Sequence, residues 1–445
     1  MAITLHYTGG TPLADEGGPS WATLNGREKT MGAILRKITK LILKVVGGLA
    51  GVIVFLLVIY AIFNTPFAAK YKKPSDVEMH GYLDYLDTHV SDPLQFVGEK
   101  FDRYDVVLVG EMHRRKQDVE FVKTLIPYLY SQKGVTVIGW EFGASDFQSE
   151  VDSLVNAPEF DEKKAIELMR RSFWEWDFQQ YLDIYRIVWE LNKTIPPQKE
   201  KIRFLQLGSD FNERKLRSPD PAVSREEAQR YFYDRKMADI IEREVLLKGK
   251  KALWYSGLHH ALTRYRQPGV FFKHADLRGG NVLYDKYPSR VCLVTLHQPV
   301  LGRLALWGEL FPLLRPFCWK LNYPWGGVID KVYERRRHPF AFDTLDSPFG
   351  ELEDNYSYYS LDRWGALKLK DFCDGYVVLC SFEEAEPVNP IRDWVTSPAE
   401  LEEVKDRMSP EHAAEFHDIP VFLDSLERDI PQTIRWAHDV DKAGY

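Results

Sequence analysis

The chain reads as an α/β protein: a mostly parallel central sheet with helices on both faces, preceded by one transmembrane helix. Three observations predict it. Apolar runs at 105–109, 135–139, 202–207 and 252–256 are each continuous, as strands covered on both faces are. Segments with apolar residues three and four apart separate these runs, as crossover helices would. Residues 45–63, VVGGLAGVIVFLLVIYAIF, are nineteen consecutive uncharged residues.

The apolar segment comes first. A span needs roughly 17–25 apolar residues to cross the hydrocarbon core, and a buried soluble helix rarely lacks a polar face over five turns. Arg27, Lys29, Arg36, Lys37, Lys40 and Lys44 precede it, against Lys70, Lys72 and Lys73 after it. The excess of Lys and Arg marks the cytoplasmic flank, so the expectation is an inner-membrane, single-pass protein with a cytoplasmic N-terminus and an extracytoplasmic main domain. Cleavage as a signal peptide near Ala68 or Ala69 would put Pro66 or Phe67 where a small residue is required, which favours an uncleaved anchor. Residues 1–30 read as a polar tail, with Met31 as an alternative start. The expected division is a tail over 1–44, the span over 45–63, a linker and lead-in helices over 64–100, an α/β domain over 101–385 and a helical extension over 386–445.

Within the domain, the run 105–109 leads through a turn to a helix over 117–131, where Val119, Val122, Leu125, Ile126 and Leu129 share one face. Gly134 ends that helix and the strand 135–140 follows, completing a βαβ unit whose crossover is right-handed. Residues 145–193 are helical with breaks at Pro158 and near Trp176 and Asp177. Pro196 and Pro197 stop the last of these helices before the strand 202–207. Ser224 and Glu227 have capping-box spacing, Met237, Ile240, Ile241 and Leu247 mark a helix that Gly249 ends, and 252–256 is the next strand. Further strands are expected at 291–296 and 375–379. The aromatic-rich stretch 301–372 reads as loops and short helices, and Ser397 with Glu400 as a helix start.

Composition excludes some functions. The first 44 residues carry six Lys or Arg and three Asp or Glu, net +3, leaving −10 on the remainder of a chain whose total is −7. Nucleic acid as a partner requires a basic footprint that the remainder lacks. Cys292, Cys318, Cys373 and Cys380 show no C-x-x-C spacing, so neither a zinc ribbon nor a dithiol redox motif is supported.

Chemistry concentrates where the strands end. Gly110-Glu111-Met112-His113, Trp140-Glu141-Phe142-Gly143, Gly208-Ser209-Asp210 and Gly257-Leu258-His259-His260 each follow an apolar run. The carboxyl ends of parallel strands form one rim, where ligands bind. Glu111 and His113, two apart in extended backbone, point the same way, and a carboxylate beside an imidazole suits a general base or a metal site. The bland alternative has His113 capping a helix while Glu111 pairs with Arg114 or Arg115. Glu141 ends an apolar strand, where an unpaired carboxylate is costly. One of His259 and His260 is expected in the cleft, since neighbours diverge. Asp210 is equally good turn chemistry. Arg235, beside Asp234, is placed to hold a substrate carboxylate or brace Glu141, or else to be a solvated helix start. Asp118, Glu120 and Lys123 read as an exposed face, and His274, His297 and His338 as structural or surface residues.

These motifs resemble a known superfamily, the one uniting ChaN-like haem-binding proteins, erythromycin esterases and Tiki/TraB metallopeptidases. The resemblance spans about residues 100–385. It rests on the first G-E-x-H (Gly110 to His113), Glu141 after the second strand, a D-R-x-M-A helix start (Asp234, Arg235, Met237, Ala238) and the second G-x-x-H (Gly257 to His260). The runs at 346–350 and 373–376 resemble its closing segments with less specificity. The esterase branch implies His113 as a base on water with Glu111, Glu141 and His260 around it and no cofactor required. The Tiki-like branch implies a divalent metal on His113, Glu141 and His260. The ChaN branch implies haem, with no ligand assignable by sequence. The expected function is a membrane-anchored extracytoplasmic hydrolase of this fold, with catalytic His113, Glu111, Glu141 and His260, and with Asp210, Arg235 and His259 contacting a small-molecule substrate. The alternative is a haem- or metal-binding uptake protein without turnover. The bilayer is the expected partner of residues 45–63.

Overall fold

The structure, a computed structural model, describes residues 21–64, 71–231, 233–267, 277–303, 321–360 and 366–438. Two compact units divide at Pro66. The first contains one long helix, α1 (Trp21–Asn64). Its stretch Arg36–Val58 has a mean hydropathy of 2.7 and is wholly exposed, so it is long and apolar enough to cross a bilayer. The helix starts well before the apolar stretch, within residues read from sequence as a polar tail.

The second unit is built on seven strands: β1 (Val106–Glu111), β2 (Val137–Ala144), β3 (Arg203–Gly208), β4 (Ala252–Gly257), β5 (Val291–Leu296), β6 (Phe340–Asp343) and β7 (Gly375–Val378). Their order across the sheet is β3-β2-β4-β1-β5-β7-β6. All neighbours pair parallel except β6 with β7. The strand runs are continuously apolar because both sheet faces are covered. Val107, Val109, Ile138, Trp140 and Tyr255 enter one core cluster, while Val106, Leu108, Leu205, Ala252 and Trp254 enter the other. Adjacent residues alternate between faces, as the pleat requires.

Helices lie where the sequence puts them at α2 (Asp76–Thr88), α3 (Pro93–Lys100), α4 (Lys116–Lys133), α5 (Gln148–Leu154), α6 (Glu162–Ser172) and α7 (Gln179–Thr194), and again at α10 (Asp234–Glu244), while between them α8 (Glu213–Leu216) is unexpected and α9 (Pro221–Tyr231) starts before Ser224. Gly134 ends α4 at φ 65, and Gly249 closes the turn after α10 at φ 62. Ser397 and Glu400 form the expected capping box at the helix Pro398–Lys405.

Other expectations fail. Ser224 lies inside α9 rather than at its start, and its hydroxyl donates to the Leu216 carbonyl. The strand β6 has no continuous run long enough to announce it. Asp118, read as exposed, is fully buried, because the guanidinium of Arg115, also fully buried, needs its carboxylate. That pair ties the turn after β1 to β5, since Arg115 Nη1 also donates to the His297 carbonyl at 2.5 Å. His274, Cys318 and residues 304–320 lie outside the described residues.

The C-terminal segment packs into the main core. Val388, Ile391, Trp394, Leu401, Val404 and Phe422 belong to the same cluster as β1, β2 and α7. Pro387 and Pro390 bridge to Arg115 and Phe178, so this segment lies against the loops next to His113. Trp394, fully buried, donates its indole N–H to the Trp174 carbonyl at 3.1 Å. Trp394→Ala is expected to destabilise by about 3–5 kcal/mol, the usual effect of truncating a buried Trp. Denaturant unfolding of the detergent-solubilised chain checks this, and a loss under about 1 kcal/mol would show the segment to be peripheral.

Candidate active site

The sheet register sets the site. Glu111, the last residue of β1, is level with Gly257, the last of β4. On the other side of β4, the register of β2 against β3 shifts between Trp140 and Ala144, so β2 carries extra residues there. A bulge of this kind bends a strand and re-aims its side chains. Glu141 sits in the bulge, and its carboxylate meets the backbone N–H of Gly257 at 2.7 Å.

Two imidazole–carboxylate assemblies result. In the first, His113 Nδ1 lies 2.8 Å from Glu111 Oε1. Met112, between them, points away and packs near Tyr323 and Phe382. The His113 ring stands edge-on to Phe142 and Trp176, at 5.6 and 5.1 Å between centroids. It also presses on Gly257, where a Cβ would lie 2.5 Å from Cε1, so only glycine fits. The burial of His113 opposes its charge, but the Glu111 bond and the charges of Glu111 and Glu141 outweigh that, and its pKa is raised above 6.5. An Nδ1–H directed at Glu111 leaves Nε2 with its lone pair.

The second assembly centres on His260, in the turn Leu258–Ala261 after β4. Its Nδ1 is 2.9 Å from Asp234 Oδ1 and its Nε2 is 3.2 Å from Glu141 Oε1. Asp234 opens α10 and also accepts the Gly279 N–H at 2.7 Å, with Arg278 at 3.4 Å. Tyr233 stacks on His260 and donates its hydroxyl to Glu141 Oε1 at 3.1 Å. Burial alone would discharge both partners. Their mutual attraction wins, so the Glu141 pKa is held below its ordinary value and the His260 pKa well above.

His113, Glu141 and His260 line one cavity of about 500 Å³, walled by Phe142, Phe173, Trp174, Trp176, Phe211 and Tyr233. Glu111 lies beneath it, 2% exposed. The other three expected contacts are placed elsewhere. Asp210 is ion-paired to Arg407, and Arg235 is exposed toward Asp239 at 3.6 Å, so neither lines the cavity. Bracing of Glu141 falls to His260, Tyr233 and Gly257 instead. His259 diverges from His260 and meets the Tyr359 hydroxyl at 3.0 Å. Of the residues that complete the site, Asp234 was visible only as part of a motif. Tyr181, Tyr233 and Tyr255 had no sequence signal, because a tyrosine beside an apolar run looks like core.

A divalent metal does not fit the trio. Both ring nitrogens of His260 are already engaged by carboxylates, Asp234 at 2.9 Å and Glu141 at 3.2 Å. Among the described residues, no group of three His, Cys, Asp or Glu side chains is arranged to hold an ion.

The fold and this rim define an α/β protein with paired carboxylate–histidine groups at its strand ends. A protein-family model described as haem-binding uptake, Tiki superfamily, ChaN matches residues 97–196, the stretch that runs from before β1 through α7. Solved structures with similar folds include a succinoglycan biosynthesis protein (10% identity, 72% of this chain and 100% of that one, TM-score 0.47). An erythromycin esterase mutant in its open conformation is also similar (10% identity, 67% and 95%, TM-score 0.43). So is ChaN of Campylobacter jejuni with cofacially bound haem (17% identity, 45% and 84%, TM-score 0.30). No curated protein matches the sequence.

The ion pair has a pH signature. Glu141 contributes fully above its ordinary 4.5 and loses its contribution as pH falls through its depressed pKa. His260 contributes fully below its ordinary 6.5 and loses its contribution as pH rises through its raised value. Both are therefore complete between about pH 4.5 and 6.5. In Glu141→Gln the His260 titration is expected to move down by about one pH unit or more, as loss of an adjacent opposite charge dictates. Histidine NMR titration checks this; an unmoved His260 would mean the pair does not exist in solution.

Proposed function

We propose that the protein is a membrane-anchored, extracytoplasmic hydrolase in which His113 is the general base on water. The observation that carries the reading is the Glu111–His113 contact at 2.8 Å, with Nε2 free of any partner among the described residues and the ring at the cavity wall. A carboxylate that fixes the Nδ1–H tautomer raises the basicity of Nε2, as a base working near neutrality requires. Water held at Nε2 would give up its proton as its oxygen attacks a carbonyl carbon. The cavity wall offers two donors to a developing oxyanion, the Tyr233 hydroxyl and the His260 Nε2–H, both shared with Glu141 Oε1. A substrate oxygen competing for those protons would be stabilised in the transition state.

The apolar stretch of α1 and the cationic excess before it support anchoring with the N-terminus in the cytoplasm. The full chain is expected to stay in the membrane pellet through alkaline carbonate extraction; release to the supernatant would mean the helix is not an anchor.

A panel of esters, lactones and amides tests the activity. His113→Ala is expected to lose on the order of 10²–10⁴-fold in kcat, the range of general-base contributions. Because the raised pKa keeps His113 protonated until above pH 6.5, the wild-type rate should climb with pH along a limb centred above that value. Unchanged turnover in His113→Ala would remove the assignment.

The family description favours a second reading, haem binding without turnover. Phe142 and Trp176 stack at 5.0 Å and 13° in the cavity wall, a flat apolar surface suited to a planar ring, and His113 would be the residue to hold it. Haem there would supply an iron centre. A Soret band surviving desalting, with no hydrolysis of any panel member, would favour this reading over the first.

A further inference from the structure

The carboxylate that orients the proposed base is itself held by protein groups. Glu111 is buried, and an ionised carboxylate can only accept hydrogen bonds. Its Oε1 takes the His113 Nδ1–H and the Tyr181 hydroxyl, each at 2.8 Å. Its Oε2 takes the Tyr255 hydroxyl. The two phenols arrive from different elements, Tyr181 from α7 and Tyr255 from β4, and both are fully buried.

The direction of one proton is fixed independently. The backbone N–H of Arg114 donates to Tyr181 Oη at 3.3 Å, so that oxygen accepts there and its own hydrogen goes to Glu111. Arg114 has φ +70, a left-handed conformation unfavourable for a non-glycine residue. Its N–H on Tyr181 and its carbonyl under the Val388 N–H, at 3.1 Å, hold it there. The other charged or titratable groups facing this assembly are Arg115 and Asp118 on the α4 side, and Glu141, His260 and His259 on the cleft side.

We propose that Tyr181 and Tyr255 are positioning residues for His113: their hydroxyls lock Glu111 in one rotamer, so that the imidazole keeps its proton on Nδ1 and offers an unprotonated Nε2 to the cavity. Neither tyrosine lines the cavity, so neither acts on substrate directly. The two neutral imidazole tautomers are chosen by the bond the other nitrogen makes. A Glu111 free to rotate would release that choice. The inference rests on the reading of His113 as the base.

The test uses the full chain in detergent with ¹⁵N-labelled histidine, at a pH where His113 is neutral. Wild type, Tyr181→Phe, Tyr255→Phe and the double variant are compared by ¹⁵N NMR and by steady-state kinetics on whichever panel ester is turned over. A single Nδ1–H tautomer is expected in wild type and a mixture of two in the double variant. Each lost phenol should lower kcat on the order of tenfold, one net hydrogen bond's worth, with KM within about twofold. Tyr185→Phe is the control: its hydroxyl is 3.0 Å from Gln206 in the same core, and it should keep one tautomer. If the double variant does not fold, Tyr255→Phe alone is read in the same way. A wild-type tautomer pattern in the folded variant overturns the proposal. Mixed tautomers in a series whose wild type hydrolyses nothing uphold it, and remove only the hydrolase reading.

Discussion

Two carboxylates buried at the ends of parallel strands constrain everything around them. Glu111 and Glu141 are 2% and 4% exposed, and a carboxylate so placed is costly unless its oxygens are fully engaged. The sheet order puts β4 between their strands, so the residues that follow β4 answer both. Gly257 gives Glu141 a backbone N–H and gives the His113 ring room. Three residues on, His260 gives Glu141 a positive charge. Replacing His260 would remove the positive charge beside Glu141, and a side chain at Gly257 would collide with the His113 ring.

The two acids are satisfied in different ways, and that difference separates their roles. Glu141 faces an imidazole that a second carboxylate, Asp234, also holds, so this assembly is a fixed charge array whose imidazole favours its protonated form near neutral pH. Glu111 faces two phenols and a single imidazole nitrogen. Phenols are weak acids raised further by burial, so they remain donors and share the carboxylate's charge without neutralising it. His113 is then the one cavity-lining imidazole with a nitrogen not bonded to protein among the described residues. In the proposed hydrolase, proton transfer near neutral pH is therefore assigned to it rather than to His260, whose raised pKa and two carboxylate partners favour its charged form.

Much of this was legible in the sequence, for reasons that are local. A strand covered on both faces must be apolar throughout, so β1, β3, β4 and β5 could be placed within a residue or two, and polar residues just past their ends stood out. Gly134, Gly249 and Ser397 announce helix ends by their own backbone chemistry. What could not be read depends on distance. Tyr181 and Tyr255 meet Glu111 across 70 and 144 residues of chain, and nothing beside a tyrosine records that. Asp118 carries the local signature of a solvated helix face, yet the fold buries Arg115 beside it and draws it inward. Arg235 erred the other way: it sits in a motif, but α10 turns Met237 and Ala238 to the core and leaves Arg235 in solvent.

The C-terminal segment shows why the rim cannot be understood from its motifs alone. The turn carrying His113 contains a left-handed Arg114, and a turn of that kind persists only where the surroundings over-determine it. Part of that determination comes from beyond residue 385. Val388 caps the Arg114 carbonyl, and Glu386 accepts the Lys116 N–H. On the far wall, Arg407 accounts for Asp210, and its carbonyl receives the Glu213 N–H at the head of α8. Both sides of the cavity are thus tied to one strap of chain that carries no motif. With His113 as the base, the strap contributes to catalytic geometry by holding the backbone from which the reacting groups project.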